Sequence, residues 1–189
     1  MMRHTLQTLG PKVLASRMVR DYVHQLYSPA ALASRAIVAN DFAEARSLAA
    51  YASRVRDGWP GVQVEHVEAG GIDDAPERGT DLTVRAFISL GSLAPADVDV
   101  QLASGRVDHN DRIVDASISV LVPTEQLDAH RWRYETTVAL DRTGAFGYTV
   151  RVLPRHESLA NSLELGLQAL PPTAEDLPVA ELGVPAHLA

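Results

Sequence analysis

RWRYETTVALDRTGAFGYTVRVLP, from Arg131 to Pro154, is the most regularly patterned stretch of the chain. In its first half Trp132, Tyr134, Thr136, Val138 and Leu140 fall on one side, and Arg131, Arg133, Glu135 and Thr137 on the other. Turn-type residues follow at Asp141, Arg142, Thr143 and Gly144, after which Tyr148, Val150 and Val152 alternate with Thr149, Arg151 and Leu153. Successive side chains on a strand point to opposite faces, so this period of two predicts a half-buried antiparallel hairpin with one wet surface. Such a hairpin is scaffold and brings no chemistry of its own.

The same period extends upstream. VQVEHVE (Val62 to Glu68) reads as a first strand, and the Gly- and Asp-rich GGIDDAPERG (Gly70 to Gly79) as a loop. TDLTVRAFISLGSL then aligns Leu82, Val84, Ala86, Ile88 and Leu90 on one face. DVDVQLASGRVD and RIVDASISVLVP flank a tight turn at His109-Asn110-Asp111, and LGLQAL (Leu165 to Leu170) reads as a closing strand. Short strands at this spacing predict an Ig-like antiparallel β-sandwich of about seven strands.

Before Val62 the period is helical. Met1 to Leu9 reads as a helix end stopped by Gly10 and Pro11, and Ser16 as the N-cap of a second helix. Met18, Val19, Tyr22, Val23, Leu26 and Tyr27 form one apolar stripe on it, with Arg20, Asp21, His24 and Gln25 opposite. Ser28-Pro29 is expected to end it. A third helix is expected from Asp41, where Glu44 three residues on resembles a capping box, with Phe42, Ala45, Leu48, Ala49, Ala52 and Val55 facing inward. Asp57-Gly58-Trp59-Pro60 closes it. The fold class is therefore α+β, with a helical segment over residues 1–58, a β-sandwich over 59–170 and a disordered Pro- and Ala-rich tail over 171–189. A helix of about a dozen residues is marginal in water unless its apolar face is covered. The sandwich, a neighbouring helix or a surface outside this chain would each serve for the stripe from Met18 to Tyr27, where each large side chain gains roughly 1.5–3 kcal/mol on full burial.

Composition narrows the function classes. With 189 residues, 46% apolar and 22% charged, the chain has room for a real core and one appendage. Its formal charge of −7 leaves no basic surplus for nucleic acid or an anionic membrane. The absence of cysteine removes disulfides, thiolate metal sites and thiol nucleophiles, and fits a reducing cytoplasm. No apolar run approaches the ~20 residues of a membrane span, and no signal-peptide layout opens the chain.

No catalytic, cofactor-binding or metal residues are assigned. Asp108, Asn110 and Asp111 sit together, but an EF-hand needs Gly at the sixth position, here Ile113, and Arg112 adds positive charge, so a polar turn is the expectation. The seven histidines, His4, His24, His66, His109, His130, His156 and His187, show no zinc-ligand spacing. No nucleophile elbow or nucleotide-binding glycine loop is present. Trp59, Trp132 and Tyr134 have the chemistry to stack on sugar rings, as in a carbohydrate-binding module. The preferred reading puts Trp132 and Tyr134 on the buried face beside Val138, and Trp59 as a plug where helix meets sandwich.

The segments flanking the hairpin resemble a known family. RHTLQTLGPKVLASRMVRDYVHQLY (Arg3 to Tyr27), with Gly10, Lys12, Ser16-Arg17 and Tyr22, is similar to the C-terminal end of bacterial α-glucan (glycogen) phosphorylases, particularly the actinobacterial type. The likeness continues through YSPAA (Tyr27 to Ala31), Trp59-Pro60-Gly61-Val62, LTVRAFISLGSL and GAFGYTVRVLPRHESLANSLELGL (Gly144 to Leu167). It implies a cytoplasmic C-terminal fragment of a pyridoxal-phosphate-dependent hexosyltransferase that releases glucose 1-phosphate from glycogen or maltodextrin. In that family the catalytic machinery and the cofactor lysine lie upstream. The one lysine here, Lys12, matches a structural loop, so the resemblance implies no cofactor in this chain and a non-catalytic segment. It further implies that the stripe from Met18 to Tyr27 packs on the catalytic core. Self-association through that stripe, or a stand-alone α-glucan-binding or assembly module, is the alternative.

Overall fold

The computed structural model describes residues 15–71, 79–141 and 144–172. The helix expected over Met1 to Leu9, its Gly10-Pro11 stop, Lys12, most of the Gly70–Gly79 loop and the tail from residue 173 lie outside them. Contacts divide the chain into two units, one ending at Ala50 and the other beginning at Tyr51.

In the first unit α1 covers Ala15–Tyr22, so Ser16 stands inside it. Ser28-Pro29 does not end the helical path, contrary to expectation. A widened π-turn over Val23–Tyr27 leads directly into α2, Ser28–Gly58, and the Ser28 amide reaches the carbonyl of Val23. Proline lacks the N–H of the ladder and crowds the carbonyl four residues back, and a π-turn is one way for a helix to absorb both. The break falls later, at a knee where Asn40, Asp41 and Phe42 adopt left-handed backbone with φ of 52°, 55° and 60°. A new helical start near Asp41 is thus real, but an N-cap takes extended backbone, which Asp41 does not have. Phe42, expected to face inward, is exposed, as are Met18, Val19, Tyr22, Val23, Leu26 and Tyr27.

In the second unit the last turns of α2 bury Tyr51, Ala52 and Val55, and a 3-10 turn at Trp59–Gly61 buries Trp59. Six strands follow: β1 Gln63–Gly70, β2 Asp81–Ser89, β3 Val98–Val107, β4 Ile113–Gln126, β5 Arg131–Ala139 and β6 Phe146–Pro154. All pairings are antiparallel, in the order β1-β2-β5-β4-β3-β6. The class is α+β as expected, with six strands among the described residues rather than about seven. LGLQAL is not a strand: it contributes one bridge, in which Ala169 and Val152 exchange backbone hydrogen bonds of 2.9 and 3.0 Å.

The stretch from Arg131 to Pro154 is two strands but not a hairpin. Both edges of β5 are taken, one by nine residues of β2 and the other by β4. The β4–β5 turn is closed by Asp128, whose Oδ1 accepts the amides of His130 and Arg131, each at 2.9 Å. These hydrogen bonds hold the Asp128 carboxyl below its ordinary range, that from His130 first. β6 therefore pairs with β3 instead.

Strand β4 ties the sheet into a curl. Up to Leu121 it pairs with β3, and from Val122 it pairs with β5. A strand that changes partners in this way turns a corner between two layers, and the outermost strands β1 and β6 approach each other. Leu82, Val84, Ala86, Ile88 and Leu90 are at most 1% exposed, as their alternation predicts, and meet Val100, Leu102, Val150 and Val152 in the core. The 3-10 turn lies close on the end of β2. A β-carbon on Gly61 would stand 3.0 Å from the Gly91 Cα, and Gly91 itself has φ of +57°. Only glycine meets both demands without strain at Gly91.

Candidate functional site

The densest polar constellation in the second unit centres on Asp97, at the end of the Pro95–Asp97 turn before β3. Tyr51 and Arg54 stand three residues apart on α2, so both fall on the face that carries buried Val55. The Arg54 guanidinium meets the Asp97 carboxylate with two bonds, Nη1 to Oδ2 at 2.6 Å and Nη2 to Oδ1 at 2.8 Å. The Ala94 amide donates to Oδ2 at 3.0 Å. The Asp97 carbonyl accepts from the Tyr51 hydroxyl at 3.0 Å and from the Arg155 amide at 2.9 Å. The His156 ring packs 4.7 Å from that of Tyr51.

The Arg54 fork holds the Asp97 carboxyl below the ordinary carboxylate range, against the opposing effect of burial. The same bonds raise Arg54 further, and burial raises the Tyr51 phenol. A carboxylate engaged at both oxygens is neither a free base nor a nucleophile. Its work is mechanical: it fastens the end of α2 to the β2–β3 connection and to the chain leaving β6. Sequence reasoning missed this cluster, because Arg54 and Asp97 are 43 residues apart and nothing local pairs them. The local signal was Asp97 placed three residues after Ala94, the spacing of a turn closed by its own carboxylate.

Residues singled out from the sequence do not converge. Trp59 and Tyr134 are buried, and Trp132 is half-buried. Burial raises the Tyr134 phenol, and its hydroxyl finds no partner among the described residues. Asp108 closes its own turn, its Oδ1 accepting the amides of Asn110 at 2.8 Å and Arg112 at 3.0 Å. The histidines serve separate local roles. His66 stacks on Phe87 at 4.0 Å, and His130 donates from Nδ1 to the Gly91 carbonyl at 2.7 Å. His4 and His187 lie outside the described residues. Among the described residues no group of three or more His, Asp or Glu is placed to hold a metal, and no helix is long and apolar enough to cross a membrane. The one lysine of the chain, Lys12, lies outside the described residues.

One open cleft of about 410 Å³ lies where β4 and β5 part, lined by Ser104, Arg106, Asp115, Ser117, Ser119 and Phe146 among others. Sequence reasoning missed it too, since a cleft needs the change of partner within β4.

Residues 59–172 match the family described as glycogen phosphorylase C-terminal domain. Over 170 residues, 90% of this chain, the sequence is 48% identical to the glycogen phosphorylases of Mycobacterium bovis and Mycobacterium tuberculosis. An alignment of 170 residues exceeds the family segment and takes in part of the helical unit as well. Maltodextrin phosphorylase of Thermococcus litoralis is 27% identical over 174 residues, 88% of this chain. The chain spans about one fifth of the length of these relatives, 20% of the mycobacterial proteins and 19% of the archaeal one. No solved structure matches. Among the residues that carried the resemblance, Gly61 and the buried face of β2 have structural work in this fold, and the chain belongs to the glycogen phosphorylase C-terminal domain family.

Proposed function

We propose that this chain is the C-terminal part of a cytoplasmic α-glucan phosphorylase and is itself non-catalytic. The whole enzyme would transfer a glucosyl unit from glycogen or maltodextrin to phosphate, releasing glucose 1-phosphate. Pyridoxal phosphate, held elsewhere in that enzyme, would supply acid–base chemistry at the phosphate. This chain's contribution is packing. The observation that carries the reading is the 48% identity to mycobacterial glycogen phosphorylases across 90% of the chain. The exposed stripe of Met18, Val19, Tyr22, Val23, Leu26 and Tyr27 supports it, because six large apolar side chains on one helical path are costly to leave in water. The catalytic portion is the surface that covers them in this reading.

The purified chain should form no glucose 1-phosphate from maltodextrin, phosphate and added pyridoxal phosphate; turnover would overturn the non-catalytic assignment. Mixed with the catalytic portion of the Mycobacterium tuberculosis relative, it should co-elute on size exclusion. The double variant Tyr22→Glu, Leu26→Glu should elute alone. Self-association of the free chain that excludes the catalytic portion would displace this reading.

A further inference from the structure

Strand β4 has its polarity turned inside out over much of its length. Leu121 points into the core at 2% exposure, so Ser119 and Ser117, two and four residues before it, share its side of the strand. The aliphatic residues Ile118, Val120 and Val122 take the outer side and are 48%, 52% and 57% exposed. A slip of one residue would exchange the two sets and put the aliphatic side chains on the side of Leu121. The chain instead keeps its hydroxyls on the side of Leu121, and such breaks in binary pattern are expected at functional sites.

What the serines face is the 410 Å³ cleft. It opens because β4 pairs with β5 only from Val122 onward, leaving the edge beside Ser117 and Ser119 without a strand. From β3, Ser104 joins them at 7% exposure, together with Arg106. Asp115, also on β4, lines the cleft in left-handed backbone, φ 52°, beside a register shift in the β3–β4 pair. Bulges of this kind commonly re-aim side chains next to sites. Among the described residues, the hydroxyls of Ser104, Ser117 and Ser119, the Asp115 carboxylate and the Arg106 guanidinium form no hydrogen bond or ion pair. At the lip, the Phe146 ring is partly exposed and lies 6.4 Å from that of Tyr148.

We propose that this cleft binds a neutral, polyhydroxylated ligand, a short saccharide. Serine hydroxyls both donate and accept, the carboxylate accepts and the guanidinium donates, which matches a ligand whose own hydroxyls do both. Among the described lining residues Asp115 offsets Arg106, which leaves no positive surplus for an anion such as phosphate. Phe146 offers an apolar surface to the C–H face of a sugar ring. The volume lies within the roughly 300–1,000 Å³ typical of small-molecule sites. The proposal rests on the cleft and is independent of the phosphorylase reading.

The test is a titration of the ¹⁵N-labelled 189-residue chain with maltotriose, and separately with inorganic phosphate, followed by amide chemical shifts. Saturable shifts at Ser104, Ser117, Ser119 and Phe146 are expected with maltotriose and not with phosphate. Ser117→Val with Ser119→Val should weaken the sugar at least tenfold while the β2 amides keep their positions. Ser117→Ala, at an exposed position, gives a smaller weakening without risk to the fold. Absence of saturable shifts with maltotriose, equal affinity in both serine variants, or saturation by phosphate in place of the sugar would each overturn the proposal.

Discussion

In β2 the aliphatic residues Leu82, Val84, Ala86 and Ile88 face the core, whereas in β4 the aliphatic residues Ile118, Val120 and Val122 face water. Both strands alternate apolar and polar residues with the same period. β2 has a partner on each side along its length, β1 and β5, so its inward face lies over a closed layer. β4 has β3 on one side in its first half and β5 on the other in its second. Periodicity therefore tells that a strand has two kinds of face, and the neighbours decide which one is buried.

The comparison breaks first if the two faces respond alike to truncation. Ile88→Ala removes a fully buried side chain from a closed layer and should cost about 3 kcal/mol in urea unfolding. The connection leaving β2 offers a second probe. Asp97→Asn weakens the Arg54 fork and should cost about 1.5 kcal/mol, discounted because the Arg54 side chain is more than half exposed. Asp97 ionises below its ordinary range when folded, so its contribution is complete above about pH 4 and is lost as pH falls through the lowered folded value. The wild-type stability should thus fall more steeply below pH 4 than that of Asp97→Asn. The smallest effect is expected at Val120→Ser, within about 0.5 kcal/mol of wild type, because the side chain is already in water. A loss of 2 kcal/mol there would mean that the outer face of β4 is covered in the free chain.

Legibility followed the range of the interactions involved. The buried face of β2 could be read because its alternation runs unbroken from Leu82 to Leu90. The two strands within Arg131 to Pro154 were legible and their partnership was not. A four-residue turn makes a hairpin locally reasonable, yet β2 and β4 compete for the edges of β5 and occupy both. Ser28-Pro29 was visible as a helix disturbance, but a single widened turn absorbs it where a stop was expected. The Arg54–Asp97 fork and the serine-lined cleft depend on residues brought together only by tertiary folding. Local pattern carries no sign of which distant partner a polar side chain will meet.

The partner exchange within β4 has a consequence for how the sheet comes apart. Its two flanks share one continuous run of backbone, like two panels stitched along a common seam. Freeing either panel strips hydrogen bonds from the strand that anchors the other. The flanks are therefore expected to melt together in a single cooperative transition.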